Sequence, residues 1–398
     1  MHVCLVTREF PPVTTYTGGI GRAFAGLARG LANAGHRVTV LVPGLEHATS
    51  ADGAALVVGL GSSRLRAGTA AAGIADALTV RRELQLRADI DVVFSPEWHG
   101  DDALARRGAQ TPVHVTNLTT GLRQIRALTE DSRWIGEMRP HRVVQRMLER
   151  RQTELADGIV AGSQPILDWT SSLWKIDGKS VAVIANGVDA DWAQRLAAGP
   201  LPDRFPRVGP TVVFAGRLES LKGVTYLAEA MLEVWRSHPA ASLVLIGRDG
   251  AWKGMPMSEH VRRVVGDRAD RLVYLGEQPP ERLFPALAAA DVAAFPSLWE
   301  SQGLVALEAL VVGTPVVATK GTGLQGFVRD GENGLLVEPA RAADLSAALV
   351  RLLSDRQLCQ RLAAAAPKVA ETFSLEATAQ RHADFFAELL GRHGRLRS

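Results

Sequence analysis

Two acidic residues, Glu300 and Glu308, stand eight positions apart in the segment PSLWESQGLVALEALVVGTPVVA that runs from Pro296 to Ala318. Around the start of an apolar helix, eight residues at the α-helical rise cover about 12 Å with the side chains offset by roughly 80°, so both carboxylates are expected to line one groove beside the helix. Vicinal hydroxyls at the two ends of a nucleotide-sugar, on its pyranose and on its ribose, fit such a pair. The diphosphate between them would then meet the N–H groups that open the apolar helix, the end that favours anions.

A second group supports the same chemistry. Arg217 and Lys222 flank the loop GRLESLKG (216–223), which follows a β-rich run and precedes an amphipathic stretch. A planar guanidinium and a compact ammonium at a strand-to-helix loop can hold a diphosphate and stabilise charge growing on it as it departs. Near the amino terminus, Gly18 and Gly19 in TGGIGR permit close backbone approach to phosphate, although the turn is not GxGxxG and no acidic ribose partner follows at dinucleotide-fold distance. In SPEWHG (95–100), Glu97 and His99 lie just past another strand and are candidates for touching a reacting sugar, against the plainer reading of His99 as a hydrogen-bonded structural residue. The pairs Asp89/Asp91 and Asp189/Asp191 resemble a metal clamp, but no further ligand cluster accompanies them, and no metal is expected.

The elements that must position these residues alternate. Short apolar runs are expected as strands at Val3–Thr7, Arg37–Val42, Asp91–Ser95, Val113–Asn117, Gly158–Ala161 and Val181–Ile184. A second series follows at Thr211–Ala215, Leu243–Ile246, Leu272–Leu275, Val292–Phe295, Pro315–Ala318 and Gly334–Val337. Amphipathic stretches separate them, so the rhythm is βαβ. The strands read as continuous rather than alternating apolar runs, as in parallel sheets buried on both faces. The fold class is therefore α/β with two doubly wound domains, 1–200 and 201–374, joined at the proline-rich Pro200–Pro206, and a terminal helix at 375–398. The glycine-bearing turns all fall at carboxyl ends of strands, where open sheets bind ligands.

Composition bounds the rest. The 398 residues are 46% hydrophobic and 22% charged, with a net charge of +3. Such a chain can bury two cores, and its small net charge argues against a nucleic-acid partner. Two cysteines form no disulfide framework, and no run of eighteen apolar residues or signal-like leader is present, so a cytoplasmic setting is expected. Arginines at 123, 126, 133, 139, 142, 146, 150 and 151 outnumber Glu130, Asp131, Glu137 and Glu149. This stretch reads foremost as a solvated helix face, with an acidic acceptor or peripheral contact with an anionic membrane as the alternative.

Taken together, GGIGR, ADGIVAGS (156–163), IANGVD (184–189), FAGRLESLKG (214–223), the Glu300/Glu308 pair and NGLLV (333–337) resemble the retaining glycosyltransferases of family 4. The resemblance covers nearly the whole chain. It implies the GT-B arrangement, two Rossmann-like domains facing across a cleft, and transfer of a sugar from a nucleoside-diphosphate sugar to a glycan, lipid-linked or small-molecule acceptor. No cofactor and no metal are implied, because the nucleotide-sugar is a co-substrate. By position, Arg217 and Lys222 grip the diphosphate, Glu308 the ribose and Glu300 the donor sugar. Gly216 belongs to the same loop, Gly303 and Leu304 offer N–H groups to phosphate, Gly18 and Gly19 approach from the first domain, and His99 lies near the sugar. The chain departs from the family pattern at Ser301-Gln302, where an aromatic residue is common, near Gly326, where a glutamate is replaced, and at Asn117-Leu118-Thr119, where a histidine is common. The rival readings are a GT-B nucleotide-sugar epimerase or hydrolase, which would consume donor without an acceptor, and a non-catalytic nucleotide-sugar sensor.

Overall fold

The computed structural model describes residues 1–14, 18–46, 49–52, 55–61, 69–108, 110–128 and 140–394. Two compact units emerge. The first takes its described residues from 1–127, 140–187 and 373–394, and the second from 128 and 188–372.

In the first unit, eight strands are β1 (His2–Val6), β2 (Arg37–Val42), β3 (Thr49–Asp52), β4 (Ala55–Gly59), β5 (Val92–Pro96), β6 (Val113–Leu118), β7 (Gly158–Ala161) and β8 (Ser180–Val183). They lie in the order β3-β4-β2-β1-β5-β6-β7-β8, parallel except for β3. Both faces of β1 are covered: Val3 and Leu5 join one core with Phe24, Phe94 and Phe386, while Cys4 and Val6 join another with Val80 and Leu84. That two-sided burial explains the unbroken apolar run. The helices Gly19–Asn33 and Leu375–Arg392 pack together, so the last helix of the chain completes the first unit's core. The β3/β4 pair has no counterpart among the expected strands. Its sequence, TSADGAALVVG, mixes turn formers with a short apolar run, and pairing beside β2 supplies what local propensity does not.

In the second unit, β9 (Thr211–Ala215), β10 (Ser242–Ile246), β13 (Leu272–Gly276), β14 (Val292–Phe295), β15 (Val316–Thr319) and β16 (Gly334–Val337) form a parallel sheet in the order β13-β10-β9-β14-β15-β16. A small hairpin, β11 (Ala251–Trp252) with β12 (Met255–Pro256), follows β10. Helix Val224–Ser237 packs with Met257–Val265 and Ala342–Ser354 in one group, and Pro280–Ala288 with Leu304–Val311 and Ala190–Ala197 in another. Trp192 meets the Phe284 ring edge-on at 5.2 Å, which ties Ala190–Ala197 to this unit.

In each sheet the order reverses direction once. The reversal falls between β1 and β5 in the first unit and between β9 and β14 in the second. Loops leaving the carboxyl ends of such neighbouring strands diverge and leave a crevice for ligands. The loops singled out by sequence leave these four strands.

Candidate functional site

In the second unit, the loop after β9 and the loop after β14 are locked to each other by backbone. Gly223 has φ +69, and a Cβ there would lie 1.8 Å from the Pro296 carbonyl oxygen, so only glycine fits this close approach. The Leu298 N–H donates to the Leu221 carbonyl at 2.8 Å. This contact sets Lys222 beside Glu300: Nζ and Oε2 are 2.5 Å apart, with 20% and 17% of the side chains exposed. A charge-assisted pair held this far from bulk water is stronger than a surface pair. Arg217, 58% exposed, leans instead on Glu219 at 3.1 Å. Gly216 opens the same loop, its N–H donating to the Ile246 carbonyl at 2.9 Å.

Glu300 and Glu308 are not on one continuous helix. The helix spans Leu304–Val311, and Gly303 precedes it with φ +91, a left-handed conformation that ends helical continuity. The helical spacing expected for the two carboxylates therefore fails before Gly303. Glu300 reaches the site from the β14 loop, and Glu308 from the second turn of the helix, where it is buried. Gly303 is also steric: a Cβ there would lie 2.4 Å from Leu324 Cδ2 and 3.0 Å from Glu300 Cγ. No side chain caps this helix, so the N–H of Leu304 lies at an uncapped, anion-favouring terminus.

In the first unit, Gly18 precedes helix Gly19–Asn33, and its N–H donates to Glu9 Oε2 at 2.7 Å. Gly19 is exposed, and a Cβ there would meet nothing beyond its own neighbouring backbone within 4 Å. Thr17 of the same turn lies outside the described residues. His99 sits past β5 with φ 74, and its backbone N–H donates to Glu149 Oε1 at 3.3 Å. Burial, then the Arg8 charge, depress its imidazole to about 4, so the ring is neutral at physiological pH. Arg8 is itself anchored, with two bonds from Nε to Asp101 at 2.9 and 3.1 Å and an Nη1 contact with Asp76 at 3.0 Å.

Several sequence candidates turn out to be structural. Glu97 is fully buried at the end of β5. Asp89 pairs with Arg37, Asp91 accepts the His2 N–H at 2.7 Å, and Asp189 caps helix Ala190–Ala197 through Trp192 N–H at 2.9 Å. Asn333 closes its own turn, accepting from Arg329 N–H at 2.7 Å and donating to the Phe327 carbonyl at 2.9 Å. The arginine-rich stretch contains two described helices, Leu122–Leu128 and Pro140–Leu155, and the second buries Leu148, Glu149, Gln152 and Thr153. Arg133, Arg139, Glu130, Asp131 and Glu137 lie outside the described residues. Sequence reading missed Glu149 because charge in a basic, polar helix looks solvated. Its one local signal is that Glu149 is followed three and four positions later by the uncharged Gln152 and Thr153, which share its buried face.

The profile of Glycosyltransferase Family 4 matches residues 17–192, and that of Glycosyl transferases group 1 matches residues 209–355. Over 392 residues the chain is 30% identical to a glycogen synthase of Mycobacterium tuberculosis, covering 92% of this chain and 89% of that one. The chain belongs to glycosyltransferase family 4. This family 4 member is also 35% identical over 246 residues to a D-inositol 3-phosphate glycosyltransferase of Rhodococcus opacus, a match that takes in 60% of this chain and spans only 55% of that relative's length. Its fold matches that of Anabaena Alr3699/HepE, solved in complex with UDP and glucose, with TM-score 0.69 and 18% identity over 98% of this chain and 100% of that one. Two Rossmann-like sheets of this kind make up the GT-B architecture. No described helix of the family 4 chain is long and apolar enough to cross a membrane.

Proposed function

We propose that this protein is a retaining glycosyltransferase that moves a sugar from a nucleoside-diphosphate sugar to an acceptor hydroxyl, with the donor held by the second unit. The single observation that carries the reading is the Lys222–Glu300 contact beside the uncapped helix at Leu304, at the strand reversal of that sheet. In this reading the diphosphate lies against the Leu304 end of the helix and takes Lys222 and Arg217 as its cations. Glu300 faces the donor sugar and Glu308 the ribose. In the first unit, Gly18 and Gly19 are read as approaching phosphate and His99 as meeting a sugar hydroxyl. Because His99 is neutral, it can exchange a hydrogen bond with a sugar hydroxyl without adding charge.

The bond from the anomeric carbon to the phosphate oxygen breaks, and its electron pair leaves with the nucleoside diphosphate. Lys222 and Arg217 stabilise that negative charge. The acceptor oxygen bonds to the same face of the sugar, and its proton passes to the departing phosphate. No side chain has to act as a nucleophile. Two unpaired thiols, Cys4 and Cys359, suit a cytoplasmic setting.

A thermal-shift screen with UDP, GDP, ADP and dTDP and their sugars tests the donor, because a ligand bound to the native state raises its stability. UDP leads the screen because the Anabaena neighbour holds it. One nucleotide family should raise Tm in wild type and lose most of that effect in Lys222→Ala. Silence from all four refutes the proposal. Nucleoside diphosphate released only when an acceptor is present separates transfer from donor hydrolysis.

A further inference from the structure

Two buried carboxyl groups meet in the first unit, one from the end of β5 and one from helix Pro140–Leu155. A Cβ on Gly121 would lie 2.9 Å from Glu97 Oε1 and 3.4 Å from Glu149 Oε2, so both acids point at the same spot past the end of β6. Their hydrogen bonding is opposite. Glu149 Oε1 accepts the His99 N–H at 3.3 Å and Gln145 Nε2 at 2.7 Å, and its Oε2 accepts the Leu122 N–H at 3.0 Å. Glu97, 0% exposed, has the backbone amides of Gly121 and Thr119 near it, but neither in good hydrogen-bond geometry. Three well-placed donors aimed at one carboxylate favour its charge, whereas a buried carboxyl without a well-placed donor favours its proton.

We propose that Glu149 is a positioning residue: as a carboxylate it holds the His99 and Leu122 backbone amides together, while the neighbouring Glu97 keeps its proton, so that the loops leaving β5 and β6 stay fixed at the ligand-binding rim. The inference rests on the proposed glycosyl transfer, in which His99 serves the sugar. The clamp also explains how His99 is kept at a left-handed φ of 74 that a non-glycine residue rarely adopts.

The electrostatics agree with this division above neutral pH. Burial lifts Glu149 to about 7 against the pull of its three donors and the Arg146 charge. Burial and then the charge of Glu149 hold Glu97 well above the carboxylate range. The other charged groups around the clamp are Arg8 with its partners Asp101 and Asp76, the latter on helix Ala70–Gln85, and the neutral His99 ring. Two adjacent acids of this kind release their protons in separate steps.

The test uses the full chain as wild type, Glu149→Gln and Glu97→Gln. Difference infrared spectroscopy at pH about 8.5, well above the Glu149 value of about 7, should show one protonated buried carboxyl in wild type, kept in Glu149→Gln and lost in Glu97→Gln. A band lost in Glu149→Gln and kept in Glu97→Gln, or absent from wild type, overturns the assignment. Amide exchange at His99 and Leu122 should quicken in Glu149→Gln, and unchanged protection overturns the clamp. With a transferable donor and acceptor, Glu149→Gln should lose about ten- to a hundredfold in kcat, as for small misplacement of reacting groups, while nucleotide affinity stays within about twofold. The wild-type rise in kcat through pH about 7 should flatten in that variant. A retained rise overturns the proposal. If wild type transfers no sugar at all, the functional reading fails, and the infrared and exchange results still decide the clamp. If Glu149→Gln does not fold, loss of the infrared band in Glu97→Gln supports the proton assignment and its survival overturns it.

Discussion

Lys222 and Glu300 are 78 positions apart in the chain, and their charged groups touch at 2.5 Å. Without a donor, each neutralises the other. A diphosphate that takes the ammonium and a sugar hydroxyl that takes the carboxylate would exchange this contact for two others, so the pair keeps both side chains ordered until a donor arrives.

Lys222→Ala is expected to lower kcat/KM by roughly 10²- to 10³-fold, as for removal of a preorganised group that stabilises leaving-group charge. Glu300→Ala should also lower it. Because the two side chains touch, the double variant should be less impaired than the product of the single effects. Steady-state release of nucleoside diphosphate measures all three, and strictly multiplicative losses would show the two residues acting independently.

Gly223→Ala should destabilise the second unit by on the order of 2–4 kcal/mol, since the new methyl meets the Pro296 carbonyl and φ there is +69. Urea unfolding gives the stability. The stabilisation by nucleotide should shrink as well, because the same contact carries Lys222 to Glu300. A variant with wild-type midpoint and wild-type nucleotide response would mean that the two loops are aligned by something else.

Acid should expose the cost of two buried imidazoles. His382 packs edge-on against Phe94 with ring centroids 5.4 Å apart and is depressed to about 4 by burial, as is His99. Because the folded-state values lie below the unfolded value of 6.5, their contribution is whole above pH 6.5 and is lost as pH falls from 6.5 toward 4. Each contributes on the order of 3 kcal/mol. Chemical denaturation of wild type and His382→Leu across this window should show a shallower acid loss in the variant. Parallel curves would reject the assignment.

Glu97 has the opposite sign. Its folded-state value is raised, so the stability it contributes is complete below the ordinary carboxylate value of 4.5 and is lost as pH rises above it. Glu97→Gln removes that loss. The variant should match wild type near pH 4.5 and gain up to about 1.4 kcal/mol for each further pH unit until Glu97 itself ionises. Urea midpoints at several pH values check it, and an advantage that does not grow with pH would contradict the buried-acid reading.

Much of the architecture is legible before any coordinates. The apolar runs from Thr211 to Ala215 and from Val292 to Phe295 coincide with β9 and β14, because a strand buried on both faces leaves an unbroken hydrophobic signature. The β3/β4 pair was hidden, since its short mixed sequence becomes a strand only beside β2. Helix Pro140–Leu155 misleads for a related reason. Its buried face carries Glu149, Gln152 and Thr153, and a polar residue gives the same local signal whether it meets water or a partner amide.

Residue type and order alone therefore settle that Arg217, Lys222 and Glu300 fall in loops at strand ends of a doubly wound sheet, with Glu308 in the helix that follows, because that placement depends on local patterning and on the positions of glycines. Tertiary structure decides that Lys222 meets Glu300 while Arg217 meets Glu219, that Gly303 separates Glu300 from the helix bearing Glu308, and that Glu97 and Glu149 converge. The Lys222–Glu300 and Glu97–Glu149 relations arise from contacts between segments distant in the chain, and the protonation of a carboxyl group depends on which donors the folded neighbours bring to it.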